Sequence, residues 1–149
     1  MMKNIEFNIF LFGFLLNAVW EMLQMPLFSF SSEASLWEIS LFCMRASLGD
    51  AFMLIIMYWL TAAFFLYRDW INNSKANQVA LFIVIGVVMT IVFEALATGP
   101  LQRWEYNELM PTLPILGTGV APLLQWLLIP PLVLWIVRRQ IQARISRDI

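Results

Sequence analysis

Glu94 lies inside an apolar run from Val79 to Thr98, Glu21 interrupts the first apolar run of the chain, and Asp50 opens the second. Gln125 sits within the last. A carboxylate carried into hydrocarbon is costly unless it is neutralised or paired, so acids in such runs face an interior or a water-filled cavity. Carboxyls grouped among aromatic side chains can do general acid–base work, exchange protons for a cation, or hold a ligand. Two arginines stand at similar positions along the chain. Arg45 precedes Asp50, and Arg103 sits in Gln102-Arg103-Trp104-Glu105-Tyr106. Because guanidinium keeps its charge and bonds carboxylates bidentately, both are expected to serve as counter-charges to the acids.

The elements that must position these groups are membrane-spanning helices. Of the 149 residues, 61% are hydrophobic and 13% charged, with a mean hydropathy of +0.77. Soluble domains carry about 45–50% apolar and about 25% charged residues, so the departure is in the membrane direction. A spanning helix needs about 17–25 predominantly apolar residues. Four runs satisfy this, about 8–28, 46–67, 79–98 and 118–137, followed by a basic tail over 138–149. The first has no small-residue cleavage site after it and reads as a retained helix. From Leu109 onward the run is too long for one helix. Pro111, Pro114, Gly117 and Gly119 break its first part, which reads as an ordered or re-entrant lid before the fourth helix. Pro130-Pro131 removes two backbone donors within that helix, so a kink packed against protein is expected. The expectation is a single all-α domain, an integral membrane four-helix bundle.

Lysine and arginine in the flanks set orientation. Lys3, Arg68, Lys75, Arg138, Arg139, Arg144 and Arg147 fall on one side of a four-span arrangement, and Arg45 and Arg103 on the other. Both termini are therefore expected in the cytoplasm, with the loops around 29–45 and 99–117 facing outward. Tyr67, Trp70 and Trp135 suit an inner interfacial belt, and Trp37 and Trp104 an outer one.

Spacing then gathers the polar residues. Gly13, Asn17, Glu21 and Gln24 share one face of the first helix; Asp50, Tyr58 and Thr61 share one of the second. Gly86, Thr90, Glu94 and Thr98 form a stripe on the third, and Gly117, Ala121 and Gln125 on the fourth. The acids and Gln125 all fall in the outer half, leaving an almost purely apolar inner half. A polar chamber opening outward fits this better than a continuous pore. Its acids are Glu21, Glu94 and Asp50; Asn17, Gln24 and Gln125 orient them; Trp20, Trp104 and Tyr106 line it.

The same residues fall in longer strings: Asn17-x-x-Trp20-Glu21-x-x-Gln24-x-Pro26-Leu27, Gly49-Asp50, and Trp104-x-Tyr106-x-x-x-Met110-Pro111-x-x-Pro114-x-x-Gly117-x-Gly119-x-x-Pro122-x-Leu124-Gln125-Trp126. These resemble a family of small bacterial four-span membrane proteins. The resemblance covers most of the chain and implies a bacterial inner-membrane protein, but carries no activity with it.

Several classes drop out. There is no histidine, and Cys43 is the lone cysteine, which excludes intrachain disulfides, His-ligated haem and the usual zinc sites. No cofactor or metal is expected, and the nine methionines read as adaptable packing. A net charge of −1 gives no footprint for nucleic acid. The expected surroundings are the bilayer and a small or lipophilic ligand; a partner helix, from a second copy or another membrane subunit, is the alternative. An acid–base enzyme on an apolar substrate and a proton- or cation-coupled permease stay open beside simple binding. Orientation is directly testable: reporter fusions after residue 149 and near Asn73 should score cytoplasmic, and fusions near Ser35 and Asn107 periplasmic. External signals from both chain ends would overturn the outward chamber.

Overall fold

The structure is a computed structural model that describes residues 4–145; Lys3, Arg147 and the end of the basic tail lie outside the described residues. It is mostly helical. α1 spans Ile5–Gln24, α2 Leu36–Phe65, α3 Ala76–Thr98 and α4 Val120–Ile145. All four helices are long and apolar enough to cross a membrane, as in a multi-pass membrane protein.

Local chemistry sets the helix ends. The Asn4 side chain accepts from the Phe7 amide at the start of α1, and Pro26 diverts the chain into a short 3-10 turn after it. Ser35 and Glu38 close a reciprocal capping box, so α2 begins ten residues before the apolar run expected at 46. The predicted outer loop over 29–45 is therefore loop only to Ser35. Its polar residues Glu38, Ser40 and Arg45 concealed a helical extension whose signal was the Ser-x-x-Glu cap. α3 ends at Gly99-Pro100, where proline cannot continue the ladder. α4 runs through Pro130-Pro131 without interruption and carries on to Ile145, so the first part of the basic tail is helical.

α1 packs on α2 and α4, and α3 packs on α2 and α4, giving a ring in which α2 and α3 are the least closely packed neighbours. One end of the ring carries the start of α1, the end of α4 and the 66–75 connection; the other carries the 25–35 and 99–119 connections. At the second end a two-residue ladder pairs β1 (Phe28–Ser29) antiparallel with β2 (Glu105–Tyr106), an addition to the all-helical expectation. Asn107 fastens the ladder by donating from Nδ2 to the Pro26 carbonyl at 2.6 Å. A second closed turn follows, with Thr112 bridged to Gly119 and Gly117 at a φ of +64°, a region that favours glycine.

The apolar core fills mainly the half nearer the 66–75 connection. Trp70 stacks on Tyr58 at 6.1 Å and tilts against Phe82 at 5.6 Å. Trp70 is fully buried, which corrects its assignment to an interfacial belt. That half is also less purely apolar than expected, since Asn8, Thr61 and Gln78 are buried there.

Small residues set how close the helices come. A Cβ at Gly86 would stand 2.9 Å from the Trp126 ring and 2.7 Å from Met57 Cε, whereas one at Gly49 would meet nothing within 4 Å. Gly86→Ala should therefore lower the melting temperature in detergent, at a cost of about 1–3 kcal/mol for overpacking. Gly49→Ala should leave it unchanged or raise it, gaining roughly 0.5–1 kcal/mol of helix propensity. Equal melting of the two variants would contradict the packing described.

Candidate functional site

Near the 25–35 and 99–119 end, a single amide collects the polar residues of three helices. Gln125 Nε2, in the early turns of α4, donates to Asn17 Oδ1 at 2.7 Å and to Asp50 Oδ2 at 2.8 Å. A longer contact of 3.3 Å reaches Glu21 Oε1. Gln125 Oε1 accepts from Gln24 Nε2 at 3.3 Å, and that nitrogen also donates to Glu21 Oε1 at 2.8 Å. The ends of the chain fix the direction of every amide in it. Trp20 Nε1, which can only donate, bonds Gln24 Oε1 at 3.1 Å, and the Gly13 carbonyl, which can only accept, takes Asn17 Nδ2 at 2.8 Å. Glu21 and Asp50 thus converge on one nitrogen.

Glu94, on α3, is held separately. Its Oε2 accepts from Trp104 Nε1 at 3.3 Å and from the Tyr106 hydroxyl. The Gly119 amide in turn donates to the Tyr106 oxygen at 3.0 Å, so one phenol ties α3 to the connection and to the start of α4. Burial pushes the Tyr106 phenol well above its ordinary range, and the Glu94 carboxylate pushes it further. The ladder explains the placement: β1 follows the short 3-10 turn after α1, and pairing Phe28 with Tyr106 sets that ring beside α3.

Glu21 Oε1 and Asp50 Oδ2 take the amide donors, and the two carboxyls also bond one another. Glu94 is held on one oxygen only: among the described residues its Oε2 receives both donors and its Oε1 none. Around them lies a cavity of about 650 Å³. Its walls are Phe42, Gly49 and Met53 from α2, Thr90, Phe93 and Ala97 from α3, and Pro122 and Trp126 from α4, and Glu21, Asp50, Glu94, Gln24 and Gln125 face it as well.

The arginines do not play their expected part. Arg45 and Arg103 line the cavity, yet both are exposed and neither bonds Glu21, Asp50 or Glu94. The ion pair found among the described residues is Arg68 with Glu6 at 2.8 Å, at the opposite end. Neutral amides, an indole and a phenol do the holding instead, because they satisfy a carboxyl oxygen without placing a second charge in the dry interior.

Of the other expected residues, Asn17 and Trp20 act through Gln125 and Gln24 and do not line the cavity. Tyr106 touches Glu94 from behind, while Trp104 reaches the cavity and is half-buried there. Gly117 falls outside α4 and is exposed, so the fourth stripe reduces to Ala121 and Gln125. Two contributors escaped the sequence reading of the site. Thr90 is buried, lines the cavity, and its Oγ1 has no partner; its signal was its position one turn before Glu94. Gly119, read only as a helix breaker, contributes the amide that holds Tyr106.

Among the described residues no group of three or more carboxylates or thiols is placed to hold a metal ion. Neither a family model, nor a curated protein, nor a solved structure matches the chain.

These bonds predict unequal costs. Gln125→Leu strands groups on Asn17, Asp50 and Gln24, at about 1–3 kcal/mol for each buried group left unpaired. Arg103→Gln removes an exposed, unpaired side chain and should stay within about 0.5 kcal/mol. Melting of detergent-solubilised variants checks this, and a larger loss for Arg103→Gln would restore the buried ion pair in place of the amide network.

Proposed function

We propose that the chain is a bacterial inner-membrane protein that binds a small lipophilic or amphiphilic ligand in a carboxyl-lined chamber. In this reading both termini lie in the cytoplasm, which the seven-to-two division of lysine and arginine favours. The chamber then opens in the periplasmic half of the bilayer, with the 99–119 connection as its lid. The observation that carries the reading is that acids line the cavity with no fixed counter-charge. Three carboxyls line one cavity of about 650 Å³, and among the described residues none has a bonded cation, while one oxygen of Glu94 receives no donor. A helix-packing role would answer each acid with a fixed cation. A ligand-binding role leaves that charge to the ligand, and the apolar walls supply the rest of the contact.

A second reading has one observation of its own. Glu21 and Asp50 accept from the same Gln125 nitrogen, and two acids so close can pass a proton between substrate atoms. In that case the bound compound is a substrate and leaves altered.

The test uses Glu21→Gln with Glu94→Gln, since glutamine keeps shape and hydrogen bonding but neither exchanges a proton nor carries charge. Organic extraction of the purified full chain, followed by mass spectrometry, should recover a stoichiometric lipophile from the wild type and not from the double variant. Insertion and melting should be nearly equal for the two, and the double variant should fail to complement a deletion strain. Conversion of the recovered compound by the wild type favours the enzyme reading. A wild-type chain that carries nothing, together with full complementation by the double variant, would overturn both readings.

A further inference from the structure

The cavity's charges are sorted, and the sorting points to a ligand class. α2 runs from the lid end inward, so Arg45 stands nearer the lid than Asp50 by five residues, about 7–8 Å of helix axis. Arg103 follows the end of α3, again on the lid side of Glu94. Two arginines with no partner among the described residues therefore mark the mouth, and three carboxyls with no bonded cation mark the floor. Beside the floor, Thr90 offers a buried hydroxyl with no partner.

We propose that the chamber binds a zwitterionic amphiphile with a primary ammonium and a phosphodiester, the head-group chemistry of an aminophospholipid. This rests on the ligand-binding reading and names its ligand class. The ammonium goes to the floor, where its three N–H donors meet the free oxygen of Glu94, the carboxyl of Asp50 and the Thr90 hydroxyl. Arg45 and Arg103 take the phosphate at the mouth, for which a guanidinium fork is well shaped. The acyl chains leave sideways between α2 and α3. Those helices are the least closely packed neighbours in the ring, the exposed Phe93 and Leu96 flank the gap, and the space over Gly49 is open. A cationic lipophile would leave the mouth arginines unused, and an anionic lipid would leave the floor unused.

The full chain in detergent is titrated calorimetrically with four short-chain probes: dihexanoyl phosphatidylethanolamine, the matching phosphatidylcholine and phosphatidylglycerol, and O-phosphoethanolamine. Saturable one-to-one binding of the ethanolamine lipid is expected, about tenfold or more tighter than the choline lipid, which has no N–H to donate, and than the glycerol lipid, which has no ammonium. Arg45→Gln with Arg103→Gln should weaken the ethanolamine lipid about tenfold or more while leaving dodecylammonium binding unchanged. Asp50→Asn with Glu94→Gln should weaken both ligands. Gly49→Phe, which meets no neighbour at Cβ, should fold normally and exclude the lipids but not O-phosphoethanolamine. Comparable affinity for O-phosphoethanolamine and the lipid in the wild type would assign the site to a free head group and overturn the lipid. Dodecylammonium binding that equals the ethanolamine lipid and ignores the arginine changes would overturn the zwitterion while leaving the carboxyl chamber standing. Binding of neither would end both.

Discussion

Gln125 is the residue on which the arrangement of this bundle turns. One side-chain nitrogen serves Asn17 from α1, Asp50 from α2 and, at longer range, Glu21 from α1, and it does so from α4. An amide is the chemistry that can do this in a dry interior. It offers donors and an acceptor on one planar group, and it carries no charge of its own to be desolvated. A lysine in its place would neutralise one acid and could not accept from Gln24. A second carboxylate would leave Asp50 and Asn17 Oδ1 facing another acceptor. The network also has no freedom of sense, since the Trp20 indole at one end and the Gly13 carbonyl at the other allow each amide only one orientation.

From that constraint follows the asymmetry of the ring. α1, α2 and α4 are joined by hydrogen bonds at the level of the acids, whereas α3 contributes nothing to the network. Its acid, Glu94, is taken up by Trp104 and Tyr106 from the connection that follows it. α3 therefore meets its neighbours at this level by packing alone, closely on α4 where Gly86 admits the Trp126 ring, and loosely on α2. The cavity lies where the hydrogen bonding is missing. The connection, in turn, is held by the same carboxyl that faces the cavity, so the position of the lid segment and the state of Glu94 are physically one problem.

Helical periodicity made much of this legible beforehand. In a hydrophobic chain the informative positions are the polar ones, and a recurrence of three or four residues puts them on one face. Gly13, Asn17, Glu21 and Gln24 are all buried as that spacing required, and so are Gly86, Thr90 and Glu94. The failures have physical causes of their own. The start of α2 was hidden because its first turns are polar and stand beyond the apolar run, and the capping box alone marked it. Charge was matched to opposite charge by proximity along the chain, which placed Arg45 and Arg103 on the acids. Periodicity says nothing of how far a guanidinium reaches, and neutral donors were nearer. Tyr106 was recognised, but its bond to Glu94 depends on a two-residue ladder between segments far apart in sequence, and nothing local announces such a pairing.

The way the acids are held separates geometry from charge. Amides, an indole and a phenol fix where Glu21, Asp50 and Glu94 point, and they do so without cancelling any charge. A bundle built only for cohesion would pair each acid with a fixed cation or replace it with an apolar residue, since a well-packed apolar side chain is often the more stable solution in a dry interior. This one retains two arginines within the same cavity and, among the described residues, leaves them unpaired. The neutral network keeps the carboxyls in place whether or not a compensating species is present, so a ligand that supplies the charge would find the site already formed and would not have to order it. Preorganisation of that kind is where a small site gains affinity. In the proposed reading the bundle thus bears the cost of burying acids in folding, through Gln125 and its partners, and leaves their charge to be answered by what enters between α2 and α3.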